Sequence, residues 1–377
     1  MELSAISYLT FLLTFFYVVA VTYFWYGWRR LASPRKRILS GKTTVSILIA
    51  ARNEEDKIGA TIDDILKQNY PKNLIELIVI DDHSSDRTAE IVLSYIRQGV
   101  KLITLNESKP LNSYKKKAIS EAIKVAKGEL LITTDADCRM GSNWIGSIVS
   151  FYEENNCKLI SSPVVFYEEK NFFESLQTLE FLYLIGLGAA TIGNKKPSTC
   201  NGANLAYRRD VFVELKGFQG IDDLASGDDE LFLHKVASKY PQDIGFCKSQ
   251  DALVYTHAKP NLKEFISQRK RWASKSTRYK NKNIVVLGVS IWLFNVLILV
   301  NLLLGFYNSN SLIVLLITLI IKCLTELFFL MPVTSFVKRS KLLWYLPLLT
   351  FIHSLYITYI GIAGNSGKYI WKDRLVK

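Results

Sequence analysis

The chain has 377 residues, with 47 Lys plus Arg against 34 Asp plus Glu and a formal charge of +13. That length holds a catalytic domain of about two hundred residues and something further, since domains run roughly 50 to 250 residues. Its 5 cysteines show no C-x-x-C spacing, which argues against a disulfide framework or zinc site and suits a reducing compartment. The basic excess gathers beside apolar spans, as in Lys338, Arg339 and Lys341 or Lys368, Lys372 and Arg374. That placement favours anionic lipid headgroups over nucleic acid.

In chain order, the first element is an uncharged stretch from Ile6 to Trp28, long enough to cross a bilayer. Arg29, Arg30, Arg35, Lys36 and Arg37 follow it and place the next domain in the cytoplasm by the positive-inside rule. A cleavable signal peptide needs charge before its apolar core and small residues after it; here Glu2 precedes and Trp28-Arg29-Arg30 follows.

From Thr44 to Asp137 short apolar runs alternate with helical patterns, the signature of βαβ units and a parallel sheet. Strands are expected over residues 45–50, 77–80, 102–105 and 130–133, with helices over 55–68, 87–98 and 115–126. Polar residues cluster where the strands end: Arg52, Asn53 and Glu54, then Asp81 and Asp82, then Asp135 and Asp137. Open α/β sheets place their ligands at that edge, where two carboxylates two residues apart can face one divalent cation. Ala51-Arg52-Asn53-Glu54-Glu55 has no glycine, so neither a dinucleotide-binding turn nor a P-loop follows the first strand.

The segment from Gly141 to Lys282 is less regular. Residues 171–193 are apolar and aromatic, read either as a core helix or as an interfacial helix lining the route of a hydrophobic acceptor. Gly202, within Cys200-Asn201-Gly202-Ala203-Asn204, fits a close backbone approach or a plain turn. Ser226-Gly227-Asp228-Asp229-Glu230 precedes a helical pattern, where acidic residues serve as caps or as a third functional cluster. Gln268-Arg269-Lys270-Arg271-Trp272 comes next, followed by apolar stretches over residues 284–306, 312–333 and 342–363. Lys322 and Glu326, four apart in the second of these, are expected to pair.

Taken together, Asn53-Glu54, Asp81-Asp82, Asp135-x-Asp137, Gly227-Asp228-Asp229-Glu230 and Gln268-x-x-Arg271-Trp272 resemble the membrane-bound family 2 glycosyltransferases, among them the cellulose, hyaluronan and ceramide-glucose synthases. The resemblance covers residues 44–278 and implies a GT-A fold, Rossmann-like with a mainly parallel sheet, between N- and C-terminal transmembrane helices. The implied division is an anchor over residues 1–30, a catalytic domain over 31–282, membrane helices over 283–364 and a basic tail over 365–377. The implied localisation is the bacterial inner membrane, catalytic domain inside.

By the same resemblance Asn53, Glu54, Asp81 and Asp82 meet the nucleotide of a nucleotide-sugar donor, and Asp135 and Asp137 surround Mg²⁺ or Mn²⁺. Lys115 would lie near the nucleotide, although Tyr114 stands where the family keeps a glycine. Gln268 and Arg271 would touch the diphosphate, and Trp272 would border the acceptor, a lipid or glycan. Either Asp228 or Asp229 would be the general base, because helix periodicity favours the first and distance from Gly227 the second. One base without a second nucleophilic carboxylate implies single displacement with inversion.

Two alternatives stand beside this reading. A polyprenyl-phosphate sugar synthase takes an acceptor already ionised and needs no base. A non-catalytic nucleotide-binding scaffold is expected to have lost the metal pair or the base, both of which are present. Three full C-terminal spans would put the basic tail outside, so one of them is expected to be interfacial or re-entrant.

Overall fold

The computed structural model describes residues 4–33, 42–107, 111–364, 369–371 and 374–376. Arg35, Lys36, Arg37, Lys368 and Lys372, and with them much of the basic tail, lie outside these residues. The chain runs α1 (Ala5–Arg30), β1 (Val45–Ala51), α2 (Ile58–Leu66), β2 (Ile75–Asp81), α3 (Thr88–Ser94), β3 (Val100–Thr104), α4 (Tyr114–Val125), β4 (Leu130–Asp135), β5 (Arg139–Met140) and α5 (Trp144–Asn155). It continues through β6 (Leu159–Ser161), β7 (Val164–Phe166), α6 (Phe172–Gly193), β8 (Leu205–Arg208), α7 (Arg209–Glu214), α8 (Glu230–Lys239), β9 (Ile244–Phe246) and β10 (Val254–Thr256). The remaining helices are α9 (Leu262–Ser274), α10 (Lys282–Leu304), α11 (Ser309–Phe336) and α12 (Leu346–Ala363), after which β11 (Tyr369–Trp371) and β12 (Arg374–Val376) form a hairpin.

These elements fall into two units: residues 30–168 and 191–258 with the terminal hairpin, and residues 1–29, 169–190 and 259–367. The first is built on a seven-stranded sheet in the order β3-β2-β1-β4-β8-β6-β9. The pairs β3-β2, β2-β1, β1-β4 and β6-β9 are parallel, and β8 runs antiparallel to both β4 and β6. Ile47, Leu48, Ile49, Ile78, Val79, Leu131 and Ile132 are all buried, because strands covered by helices need apolar side chains on both faces. In α2 the buried residues Ile58, Thr61, Ile62 and Ile65 recur at helical spacing. Gly128 precedes β4 where a Cβ would lie 2.4 Å from the backbone nitrogen of Ser46, so only glycine lets these segments meet. A second sheet, β5-β10-β7, stands beyond the end of β4.

The second unit is helical. α1, α10, α11 and the segment Ser340–Ala363 are long and apolar enough to cross a membrane and are mostly not buried within the fold, which marks a membrane protein. Apart from Gly27, the buried residues of α1, from Ser7 through Thr10, Thr14, Tyr17, Val21 and Phe24 to Trp28, alternate steps of three and four, a narrow seam against the bundle. Tyr17 stacks on Phe294 of α10 and Trp25 on Phe328 of α11. Asn281 and Asn308 cap α10 and α11 through their side chains. The last segment is the least apolar of the three C-terminal ones and begins as a 3₁₀ turn.

α6 also has the length and composition of a span, yet it is mostly buried. Of its residues only Phe172 is exposed, as a core helix requires and an interfacial one does not. Arg339, expected to face lipid headgroups, is instead ion-paired with Glu169. Lys322 and Glu326 do pair, at 2.9 Å, and both are buried.

Candidate active site

Strand pairing places the acidic residues. Along β1, Ala50 lies opposite Asp135 on β4 and Ala51 opposite Asp81 on β2. The two aspartates therefore end the strands on either side of β1, about 10 Å apart by the usual strand spacing. Asp81 accepts from the backbone N–H of Ser84 at 3.3 Å, and Asp82 lies 3.1 Å from Nδ1 of His83. Arg52 donates to the carbonyls of Asp82 and His83 at 2.9 and 2.7 Å, holding the loops after β1 and β2 together. Asn53, at φ 50°, accepts from the N–H of Ser85, and the N–H of Glu54 donates to Thr88. Both residues thus pack the same two loops.

Lys115, in the first turn of α4, bridges the metal-type pair and the later acidic motif. Its ammonium lies 2.8 Å from Asp135 and 3.2 Å from Asp228. Burial works against its charge, but Asp135, Asp228 and Asp229 outweigh that and hold its pKa well above the usual lysine value. Asp229 is the N-cap of α8: it accepts from the N–H of Glu230 at 2.6 Å and from that of Gly202 at 3.1 Å. A Cβ on Gly202 would meet Asp228 Oδ2 at 3.2 Å and Asp229 Cβ at 3.4 Å. Its close approach is therefore to the acidic loop. Thr133 holds the same turn by donating to the carbonyl of Gly202 at 2.9 Å.

Asp137 follows β4 and keeps part of its side chain open, 3.8 Å from the Lys57 ammonium. Thr256, at the end of β10, lies 3.5 Å from the same carboxylate oxygen. Ligand atoms of Asp135, Asp137 and Cys138 lie within 4.8 Å of one another. Burial, with both aspartates, raises the Cys138 thiol well above its ordinary value, and a thiol is a soft donor beside two hard ones. The two carboxylates are the hard oxygen donors that Mg²⁺ or Mn²⁺ takes.

Gln268, Arg271 and Trp272 lie on α9, in the helical unit. Between them sits Arg269, which the motif treats as a spacer and the fold buries. It pairs with Glu180 of α6, which also accepts from the Tyr356 hydroxyl of α12 at 2.5 Å. Its guanidinium covers the Phe265 and Trp272 rings at 4.7 and 4.3 Å. Glu180 and Tyr356 belong to apolar stretches that gave no hint of this partner.

Residues 46–216 match the family model described as glycosyl transferase family 2. A beta-monoglucosyldiacylglycerol synthase of Nostoc sp. is 30% identical over 125 residues, 32% of this chain and 27% of that protein. A probable glycosyltransferase of Bacillus subtilis, YdaM, is 28% identical over 61% of this chain and 54% of its own length. The chain thus spans between about a quarter and a half of these curated relatives. Among solved structures, a Pyrobaculum calidifontis mannosyltransferase in complex with GDP-Man and Mn²⁺ superposes with a TM-score of 0.61 at 18% identity, covering 93% of this chain and 99% of that one, and so shares its fold. Sheet order and sequence match agree: residues 46–216 form a family 2 glycosyltransferase domain of GT-A fold, and long apolar helices lie toward both ends of the chain.

Proposed function

We propose that the protein moves a sugar from a nucleotide diphosphosugar, uridine-linked, to a hydroxyl of a lipid or glycan acceptor at the cell membrane, with inversion at the anomeric carbon. The observation that carries this reading is the chain of contacts from Asp135 through Lys115 to Asp228, which joins a donor-side carboxylate to an acceptor-side one. The name of the Nostoc relative supports a glycolipid acceptor. The catalytic domain faces the cytoplasm, where nucleotide sugars are made, on the reading of Arg29 and Arg30 at the end of α1.

In this mechanism Asn53, Glu54, Asp81 and Asp82 bind the nucleoside, and Gln268 and Arg271 bind the diphosphate. Asp135 and Asp137 would hold Mg²⁺ or Mn²⁺, which when bound would supply positive charge against the departing diphosphate. Trp272 borders the acceptor. An acceptor hydroxyl is a poor nucleophile near neutral pH, so a carboxylate takes its proton as the new bond forms, a contribution of roughly 10² to 10⁴ in rate. Asp229 is engaged by two backbone N–H groups, whereas Asp228 faces the Lys115 ammonium, and we assign the base to Asp228.

A donor screen on membranes tests the proposal by measuring nucleoside diphosphate release with Mg²⁺ or Mn²⁺, beside an Asp137→Ala control. Release that depends on one donor, on the cation and on Asp137 is expected. Equal release from both proteins would defeat the metal assignment, and a product that keeps the donor's anomeric configuration would defeat single displacement.

A further inference from the structure

Lys116, next to Lys115, is 1% exposed and its ammonium lies wholly inside the fold. It donates three hydrogen bonds, to the carbonyls of Ile221, Leu224 and Ser226 at 2.5, 2.7 and 2.8 Å. Those carbonyls belong to the segment that leads, through Gly227 at φ 84°, directly into Asp228 and Asp229. An ammonium has three donors, and here every one is used on a single stretch of backbone. A lysine is seldom fully buried without a carboxylate partner, and no carboxylate takes these three bonds.

We propose that Lys116 is a positioning residue for the transfer reaction: it fastens the 221–226 segment to α4 and so sets where Asp228 stands relative to Lys115 and Asp135. The inference rests on the sugar-transfer reading above. One turn of α4 then acts on the acidic motif from two directions. Lys115 meets the Asp228 side chain, and Lys116 holds the backbone that carries it. A shift of about 1 Å in a reacting group costs roughly 10²-fold in rate.

The test uses the full chain in detergent or native membranes, as wild type, Lys116→Met and Lys116→Gln, with UDP and Mn²⁺ as the binding probe. Lys116→Met is expected to lower kcat roughly 10²-fold while UDP affinity and donor KM stay within about twofold, because the donor-side residues are untouched. Lys116→Gln retains two N–H donors and is expected to lie between. An unchanged kcat in Lys116→Met overturns the inference, as does a loss of UDP affinity equal to the loss of rate. Should neither variant fold, amine acylation of the wild type decides: Lys116 is expected to react at least tenfold more slowly than Lys117, and equal rates overturn it. A wild type that binds no UDP and transfers no sugar refutes the sugar-transfer reading itself, a result separate from any of these.

Discussion

Asp228 and Asp229 adjoin in sequence and differ in what holds them. Asp229 accepts from two backbone N–H groups, that of Glu230 on Oδ1 and that of Gly202 on Oδ2; asparagine keeps the helix cap on its one oxygen and gives up the second acceptor. Asp229→Asn is therefore expected to lose about 1 to 3 kcal/mol of stability, the cost of the unpaired Gly202 N–H, and to keep a rate within about tenfold of the wild type. Asp228→Asn is expected to lose roughly 10² to 10⁴ in kcat. The reverse ranking, measured at saturating donor, would move the base to Asp229. Lys116 gives a pH prediction. Burial lowers its pKa to about 8 against the partly offsetting pull of Asp228, Asp229, Asp223 and Asp222, with Lys115 and Lys117 beside it on α4. Between that value and the 10.5 of an unburied lysine, the unfolded chain binds more protons, so stability rises with pH across this window. Melting curves from pH 7 to 10 are expected to show that rise in the wild type and to lose it in Lys116→Met. The sequence displayed both aspartates and both lysines. What it hid was direction, because adjacent positions on one helix turn point to different neighbours and no spacing says which is turned inward.

At the scale of elements, the first half of the sheet was legible because parallel strands buried on both faces leave uninterrupted apolar runs. The runs at 45–50, 77–80, 102–105 and 130–133 all lie on or overlap β1 to β4. From β5 to β10 the strands have two to four residues each, too short for a period to register. α9 shows another limit. Its motif advertised Gln268, Arg271 and Trp272, while Arg269, which pairs with Glu180 of α6, stood in it only as a spacer. Glu180 is equally enclosed, so Arg269→Met leaves a buried carboxylate with only the Tyr356 hydroxyl and is expected to cost about 3 to 5 kcal/mol. Thermal unfolding in detergent reads that loss, and a variant as stable as the wild type would show that the pair contributes little. Replacing both Arg269 and Glu180 by apolar residues is expected to recover much of it.

For the whole molecule, hydropathy announced the membrane helices and the spacing of Lys322 and Glu326 announced their pairing. It could not announce their further partners, which come from the two ends of the chain. Glu326 accepts from the Tyr17 hydroxyl of α1 at 2.6 Å and from the Thr350 hydroxyl of α12 at 2.8 Å, while Lys322 donates to the Thr350 carbonyl at 3.1 Å. Lys322→Met leaves Glu326 without its cation and is expected to destabilise by about 3 to 5 kcal/mol, whereas Lys322→Met with Glu326→Leu is expected near the wild type or above it. Equal losses in the single and double variants, measured as melting temperature in one detergent, would contradict this. The same contacts set a sequence of events during biogenesis. α1 leaves the ribosome first and must keep its tyrosine waiting; α11 arrives with both charges; and only when α12, synthesised later, enters the bilayer does the carboxylate gain its last donor. A nascent protein stalled before α12 would hold a half-satisfied ion pair in lipid, a flaw by which membrane quality control could tell an unfinished chain from a finished one.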